Sequence, residues 1–364
     1  MKKIQSSAHF LLIAILLCAV FILFIRYRLI ASMLSGTGAA VVPLSDESAI
    51  EVVSGSDGNY IKWVDFKITC DALSKAYTLD VESYDKDIHL NWIELLAYAG
   101  AKCGGSFDKS SLSLIDKLAA ELSGGETTIE KLTENMDYYE YYYEAYEAVL
   151  GGMVGEYEIE QDDGNGNKVW KKVYGLKAFS PIAKGFEYSD YDDFGSSRSY
   201  GYKRQHLGHD MMGQIGTPII AAESGYVEAL GWNQYGGWRI GIRSFDKKRY
   251  YYYAHLRQNF PYALDLKEGS VVTAGDVIGY MGHTGYSTVE NTNNIDTVHL
   301  HFGLQLIFDE SQKEGNNEIW IDCYALTRFL YKNRSLTEKN QETKEWFRVY
   351  QMKDPAAEKY KENK

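Results

Sequence analysis

Two short histidine motifs, His206-Leu207-Gly208-His209-Asp210 and His299-Leu300-His301, lie at either end of a run of short strand-like segments. In a strand, successive side chains point to opposite faces, so His299 and His301 share one face and Leu300 points to the other. The four-residue spacing of His206 and Asp210 puts these two side chains on one face as well, whether the chain is extended or forms a helical turn. The two motifs therefore predict a site at which imidazoles and a carboxylate converge.

The residue types at this site indicate a metal. Two histidines and one carboxylate with an open fourth position are typical of catalytic zinc, because structural zinc sites normally fill all four positions with protein ligands. The sequence therefore predicts Zn²⁺ as the cofactor. The motif H-E-x-x-H, which supplies the glutamate base of thermolysin-like enzymes, is absent. Histidines would have to take over the proton transfers.

The stretch from about Arg204 to Phe308 resembles the lysostaphin/LytM-type zinc metallopeptidases, which are bacterial cell-wall endopeptidases. Their signature is H-x-x-x-D, then a lone histidine, then H-x-H, and the chain has this order with His255 in Tyr253-Ala254-His255-Leu256. The turns at 216–222 and 282–285 also resemble those of the family. The resemblance implies three zinc ligands, His206, Asp210 and His301, and a catalytic pair, His255 and His299. It also implies substrate contacts by Tyr200 and Asn294.

The two histidines of the catalytic pair are expected to have different roles. The pKa of histidine lies near physiological pH, so its side chain can take up and release a proton there. Strand geometry places His299 beside His301, so His299 is the candidate general base. His255 would orient the water, stabilise the oxyanion or assist proton transfer. His209 is expected to face away from the site, and His283 to lie in a loop at the groove.

The amino-terminal segment contains an apolar run from Phe10 to Ile25, which approaches the length of a membrane-spanning helix. We expect an uncleaved anchor. The basic residues on its two sides are nearly balanced, so the cytoplasmic position of its short tail follows from the family resemblance, which implies a substrate outside the cytoplasm. The competing interpretation is a signal peptide, but the small residues of 38–40 lie too far beyond Ile25 for a natural cleavage site. The expected location is the cell membrane, single-pass, with the catalytic domain extracytoplasmic.

Composition limits the partners. The formal net charge of −12 and the pI of about 5.2 argue against nucleic acid, because no basic stripe is available to displace counterions from phosphates. Cys70 and Cys103 could form a disulfide outside the cytoplasm, or remain two unpaired thiols. An acidic run with Asp190, Asp192 and Asp193 is expected to be a solvated loop rather than a dedicated cation site.

The expected fold class is α+β. An N-terminal transmembrane helix precedes a helical accessory domain and an antiparallel β-sandwich or partly open barrel that forms the metallopeptidase domain. The expected divisions are 1–28 for the tail and anchor, 29–59 for a linker, 60–150 for the helical domain, 151–193 for a β extension, 194–331 for the zinc domain and 332–364 for a charged, exposed tail.

Local patterns place the elements within these divisions. Asp71 could cap a short helix through Ala76, further helices cover 89–99, 112–120 and 138–150, and a closing helix covers 319–331. A hairpin joins 154–159 to 168–174, and strand-like segments follow at 219–222, 225–230, 238–245, 249–256, 277–281 and 298–308.

Two features of the helical region resemble functional motifs. Leu122-Ser123-Gly124-Gly125-Glu126 matches the signature of ABC-type ATPases, but a chance match is favoured because the chain has no phosphate loop. Glu94 invites comparison with the general acid of lysozyme-like enzymes, but a glycosidase usually needs a second carboxylate.

Three functions are compatible with these patterns. The favoured one is a membrane-anchored, extracytoplasmic zinc endopeptidase that cuts stem peptides or cross-bridges of peptidoglycan. The second is a non-catalytic scaffold or regulator of cell-wall hydrolysis or sporulation on the same fold. The third is a wall-binding module that recognises peptide without turnover. The sequence indicates no particular protein partner.

Overall fold

Strand β13 (His299–Leu306) lies near the middle of the main sheet and shows why this sequence forms a strand. Its residues alternate strictly between the two faces of the sheet. One face carries His299, His301, Gly303 and Gln305, and the other carries Leu300, Phe302, Leu304 and Leu306. The four apolar side chains are fully buried, so burial of this face fixes the register that presents the two histidines on the other.

The structure is a computed structural model that describes residues 61–199, 203–313 and 317–363. Across these ranges no helix is long and apolar enough to span a bilayer. The predicted anchor, the linker of 29–59 and Tyr200 lie outside the described residues.

The main sheet is antiparallel and has eight strands in the order β11-β8-β9-β10-β13-β6-β3, with β14 also paired to β13. Its members are β3 (Ser189–Asp190), β6 (His209–Met212), β8 (Gly225–Asn233), β9 (Gly237–Ser244), β10 (Arg249–Ala254), β11 (Val271–Val272), β13 and β14 (Ile319–Ile321). The mixed α and β composition with antiparallel sheets confirms that part of the predicted fold class.

Smaller sheets flank the main one. The predicted hairpin is confirmed as β1 (Val154–Asp162) and β2 (Lys168–Leu176). Two further sheets have two strands each: β4 (Ser197–Ser199) pairs with β5 (Lys203–Gln205), and β7 (Pro218–Ile220) pairs with β12 (Val277–Tyr280). The β1–β2 turn contains Gly164 and Gly166, both at positive φ, which glycine adopts without steric cost.

From residue 61 onward, five helices precede the sheets: α1 (Cys70–Ser83), α2 (Trp92–Cys103), α3 (Lys109–Ser123), α4 (Ile129–Thr133) and α5 (Tyr139–Leu150). The cap of α1 differs from the prediction, because Thr69 rather than Asp71 accepts from the backbone N–H of Ala72, and α1 continues to Ser83 rather than ending at Ala76. Asn91 caps α2, and Asp108 caps α3 in a reciprocal capping box. Of the two alternatives left open for Cys70 and Cys103, the structure shows the second, because both are free thiols.

A buried carboxylate joins the helices to the hairpin. The Asp80 side chain, 2% exposed, accepts hydrogen bonds from the backbone N–H of Trp92 (2.9 Å) and from the hydroxyl of Tyr174 (2.7 Å), and contacts His89 Nε2 at 2.9 Å. His89 therefore has a structural role in this junction.

A second buried network joins α5 to the main sheet. The Arg249 guanidinium donates to both oxygens of Glu223 (2.7 and 3.0 Å) and to the backbone carbonyl of Ala148 at the end of α5 (2.9 Å). The hydroxyl of Tyr251 donates to the same carboxylate at 2.6 Å. Arg249 and Glu223 are both buried. Such a pair is tolerated when further hydrogen bonds satisfy its polar atoms, as the Ala148 carbonyl does for Arg249 and the Tyr251 hydroxyl does for Glu223. All described residues fall within one compact unit, 55–364, and the division into domains stays a prediction.

The carboxy-terminal segment differs from the exposed tail that the sequence predicts. After helix α6 (Tyr324–Leu330), strands β15 (Thr337–Lys339) and β16 (Trp346–Arg348) form a hairpin, β17 (Met352–Lys353) pairs with β1, and helix α7 (Pro355–Glu362) follows. Arg348 is buried and donates to the carbonyl of Ala274 at 2.8 Å. The predicted closing helix over 319–331 is also shorter, because its first residues form β14.

Candidate metal centre

Three side chains meet at the edge shared by β13 and β6. His206 Nε2 lies 3.0 Å from Asp210 Oδ1 and 3.1 Å from His301 Nδ1, and the last two atoms are 2.8 Å apart. Among the described residues, this trio is the one group of three or more histidine, cysteine or acidic side chains close enough to share a metal ion.

The triangle of donor atoms fits zinc. Zinc–ligand bonds of about 2.0–2.1 Å in a tetrahedron place neighbouring donors about 3.3 Å apart. The observed separations are slightly shorter, so a small outward movement of the three side chains would admit the ion. Three protein donors leave the fourth position open, as in catalytic zinc sites.

Pairing between strands sets this geometry. His301 lies opposite Asp210 in the β13–β6 ladder, and His206 precedes β6 with its backbone N–H bonded to the carbonyl of Ser196 at 3.0 Å. The same geometry explains why the first motif has a glycine at position 208. A Cβ at this position would lie 2.6 Å from the His301 ring and 2.8 Å from the carbonyl oxygen of Phe302, so the ring occupies space that only glycine leaves free.

Two residues that sequence reasoning did not assign support the ligands. Asp193 Oδ1 lies 2.9 Å from His206 Nδ1. Arg198 donates to Asp193 and, at 3.1 Å, to Asp210 Oδ2. The predicted solvated loop is therefore wrong for Asp193, whose carboxylate orients a proposed ligand. Partners of this kind fix the tautomer and direction of a metal-binding imidazole.

The electrostatics favour ionised Asp210. Burial alone would raise the pKa of Asp210, but hydrogen bonds from His206 and His301 hold that pKa well below its usual range. Burial likewise acts to lower the pKa of His206, yet the hydrogen bond and charge of Asp210, with the charge of Asp193, leave it raised. The site thus concentrates negative charge where a cation is expected.

His255 and His299 lie beside the trio, with ring centroids 4.7 Å apart. His255 Nδ1 lies 3.0 Å from the carbonyl oxygen of Thr284, and His299 Nδ1 lies 2.8 Å from that of Thr297. A carbonyl oxygen can only accept, so each Nδ1 carries the proton and each Nε2 keeps its lone pair. His299 Nε2 is 3.8 Å from Asp210 Oδ1, which places the unprotonated nitrogen at the metal site.

The backbone at His255 is unusual. Its φ of 62° lies in the left-handed region, which non-glycine residues rarely adopt. Hydrogen bonds hold it there: its N–H donates to the Gly236 carbonyl at 2.8 Å, and its carbonyl accepts from Gly282 at 3.0 Å. Such conformations cluster at functional sites, where the surrounding structure holds them.

Both members of the pair are neutral at physiological pH. Burial, together with the charges of His299 and His301, lowers the pKa of His255 well below the ordinary value for histidine. Burial also lowers the pKa of His299, although Asp210 opposes the shift. Neutral imidazole is the form that accepts a proton.

His209 and His283, the other two histidines near the motifs, belong neither to the donor trio nor to the catalytic pair. His209 is buried on the opposite face of β6 and contacts the Thr327 hydroxyl at 2.8 Å and Asp190 Oδ2 at 3.1 Å, which confirms that it faces away. Asp190 is accordingly not a solvated loop residue either. His283 Nδ1 lies 2.6 Å from the carbonyl oxygen of Ile295 and ties two loops together.

A cavity of about 1180 Å³ surrounds the centre. The five histidine and aspartate residues predicted for metal binding and catalysis all line it, and their individual roles stay predictions. Asn294, a predicted substrate contact, is not among the residues that line the cavity; its side-chain amide donates to the carbonyl of Tyr286 at 2.7 Å. Tyr286, which sequence reasoning missed, does line the cavity, and its ring centroid lies 5.9 Å from that of His255. Glu94 is on α2, away from this lining.

The donor trio, the open position and the neutral histidine pair are together typical of a metallopeptidase centre. Residues 204–315 match the family model for Peptidase family M23. This stretch is therefore a peptidase M23 domain, which confirms the resemblance to lysostaphin/LytM-type enzymes and, with the donor trio, the prediction of Zn²⁺.

Three curated relatives align with this part of the chain. An L-Ala–D-Glu endopeptidase of Bacillus subtilis is 33% identical over 154 residues, which cover 42% of this chain and 45% of the relative. Lysostaphin of Staphylococcus staphylolyticus is 39% identical over 98 residues, 27% of this chain and 18% of the relative. The peptidoglycan DD-endopeptidase ShyC of Vibrio cholerae is 32% identical over 105 residues, 28% of this chain and 20% of the relative. The chain thus spans less than half the length of each.

Proposed function

We propose that this protein is a membrane-anchored, extracytoplasmic zinc endopeptidase that hydrolyses peptide bonds of bacterial peptidoglycan. The observation that carries the proposal is the triangle of donor atoms from His206, Asp210 and His301, with two neutral histidines at its open side. A scaffold on this fold would not require either histidine of the pair.

Zn²⁺ bound by the trio supplies a Lewis acid that lowers the pKa of water and polarises a scissile carbonyl. His299 is placed to act as general base. Its Nδ1–H is held by the carbonyl of Thr297, so Nε2 can take the proton of the attacking water and later deliver it to the leaving amine. No glutamate base is needed for either step.

His255 would complete the machinery. With its Nδ1–H donated to the carbonyl of Thr284, its Nε2 can accept from a water and orient it. Its packing between Tyr286 and His299 limits rotation of the ring. Fixed donors and acceptors of this kind lower the barrier because they need no reorganisation during the reaction.

Peptidoglycan is proposed as the substrate because the relatives include an L-Ala–D-Glu endopeptidase and a peptidoglycan DD-endopeptidase. The anchor is proposed from the uninterrupted apolar run of 10–25. An anchor of this kind would hold the domain on the outer side of the membrane, where peptidoglycan lies.

Digestion of purified peptidoglycan by the full chain in detergent micelles tests the proposal. We expect new peptide termini in the mass spectrum of the products, their loss with a chelator and their return with added Zn²⁺. The His299→Ala variant serves as the matched control, because it retains all three proposed ligands. Intact peptidoglycan after incubation with zinc-loaded parent protein would refute the endopeptidase and favour the scaffold.

A further inference from the structure

Two arginines of the cavity have no acidic partner. Arg204 and Arg239 line the same cavity as the metal centre, and neither forms an ion pair with a carboxylate among the described residues. The Nε–H groups of both are buried and make no hydrogen bond within the described part of the chain. A buried donor without an acceptor is destabilising, and a ligand that accepts from it removes this cost.

Other cavity-lining cations are already neutralised. Arg198 pairs with Asp193 and Asp210, and Lys313 pairs with Glu228 at 3.0 Å. In a chain with a formal net charge of −12, acidic partners are plentiful, so two guanidinium groups without an acidic partner in the same cavity as the catalytic histidines indicate a negatively charged ligand.

Contacts place Arg204 close to the centre. The Arg204 guanidinium lies 4.7 Å from the centroid of the Tyr286 ring, and that ring stacks on His255. Arg204 is thus one side chain away from the catalytic pair. The cation–π contact orients the guanidinium without neutralising its charge.

Arg239 approaches from the sheet. Its guanidinium contacts the hydroxyl of Tyr250, a contact that acts to lower the pKa of Tyr250 against the larger effect of burial. Gly241 makes this possible, since a Cβ there would lie 1.9 Å from the Tyr250 hydroxyl. Tyr252 lines the same cavity as Arg239, and its ring centroid lies 6.0 Å from that of His301.

We propose that Arg204 and Arg239 form a carboxylate-binding subsite, so that the enzyme acts on peptides with a free carboxylate within one or two residues of the scissile bond. This inference rests on the proposed function and specifies its substrate class. A guanidinium binds a carboxylate through two parallel hydrogen bonds. An uncharged bridge, such as a run of glycines, would leave both arginines unsatisfied.

The test uses two peptides that differ in one group. The first is a stem-type tetrapeptide with an L-Ala–D-Glu bond and a free α-carboxylate on D-Glu, and the second carries a primary amide in place of that carboxylate. The full chain, loaded with zinc, is assayed for kcat/KM on both peptides. The Kd of each peptide is measured with zinc-loaded His299→Ala, so that binding is read without turnover.

We expect the parent to prefer the carboxylate peptide by about 10- to 100-fold in kcat/KM and in Kd, because charge-assisted hydrogen bonds contribute about 1.5–3 kcal/mol. Arg204→Gln and Arg239→Gln should each lose most of this preference, while Arg239→Lys should retain part of it. Arg328→Gln, which removes the same charge from the exposed side of α6, should leave the preference unchanged.

Zinc content and melting temperature of each variant show that the fold is intact. Equal Kd values for the two peptides, or unchanged preference in both Gln variants, would overturn the subsite. If the parent cleaved neither peptide, the proposed function would fail, whereas the ratio of Kd values would still decide whether the carboxylate is recognised.

Discussion

Asp193 Oδ1 lies 2.9 Å from Nδ1 of His206, so a carboxylate holds the imidazole whose other nitrogen faces Asp210 and His301. This contact requires Nδ1 to carry the proton and leaves Nε2 as the donor atom for a metal. The orientation of the proposed ligand therefore depends on a residue thirteen positions earlier in the chain.

Replacement of Asp193 by Ala should lower zinc affinity by about 10- to 100-fold, the usual cost of removing a partner that orients a ligand. Asp193→Asn should have a smaller effect, because an amide oxygen still accepts the hydrogen bond. Competition with a chromophoric chelator measures the affinity. Asp192→Ala, in the same loop, is the control and should bind zinc like the parent; equal losses in the Asp192 and Asp193 variants would show that the loop matters only through its net charge.

Gly208→Ala should displace the His301 ring, since the new Cβ would lie 2.6 Å from it. We expect zinc content well below one ion per chain, with little change in secondary structure. The control is Gly155→Ala in β1, where the nearest atom lies 3.7 Å away. Metal analysis and circular dichroism provide the readouts, and full zinc occupancy in Gly208→Ala would show that the ring can move without losing the ion.

Local patterns predicted which side chains converge, whereas the roles of these residues as ligands and catalysts stay predictions. Strand alternation placed His299 and His301 on one face because both lie in β13, and the four-residue spacing of His206 and Asp210 also favoured one face. The support from Asp193 and Arg198 could not be predicted in this way. It depends on how the segment before β6 folds back onto the site, and this fold cannot be read from the spacing of residues within a strand or helix.

The carboxy-terminal segment shows the same limit. Its charged composition predicted exposure, yet Arg348 is buried against Asp276 and the Ala274 carbonyl, and Asp354 pairs with Lys177 at 2.8 Å. The amino-acid composition of the segment shows which charges it carries but not which residues pair with them, because the partners lie in distant parts of the chain. A charged residue is buried only when such partners exist.

His299→Ala and Asp210→Ala should separate catalysis from metal binding. His299 is not one of the three donors, so its removal should leave zinc content unchanged and lower kcat by about 10²- to 10⁴-fold, the usual contribution of a general base. Asp210→Ala should lose both zinc and activity. Metal analysis with a peptidoglycan digestion assay distinguishes the two, and loss of zinc in His299→Ala would mean that His299 is a ligand.

Glu223→Ala should lower the free energy of unfolding by about 3–5 kcal/mol, because it removes the buried carboxylate that accepts from Nε and Nη2 of Arg249 and leaves only the partly exposed Asp246 beside this guanidinium. Urea denaturation measures the change. Glu158→Ala removes the exposed partner of Lys353 and should cost about 0–1 kcal/mol. A similar loss in both variants would contradict the view that the buried network holds α5 to the sheet.

Asp246 should make this network sensitive to acid. Burial acts to raise the pKa of Asp246, but the charge of Arg249 and hydrogen bonds from Ser244 and the Lys248 backbone leave it lowered. A lowered folded pKa stabilises the protein above the unfolded value of about 3.9, and this contribution is lost as the pH falls through the folded pKa. Asp246→Asn should therefore unfold at a lower urea concentration than the parent at pH 6, and the two midpoints should converge as the pH falls from the unfolded value of about 3.9 through the folded pKa of Asp246. A difference that did not shrink as the solution was acidified to the lowest pH at which the protein stays folded would assign the effect of the substitution to packing or hydrogen bonding rather than to the charge.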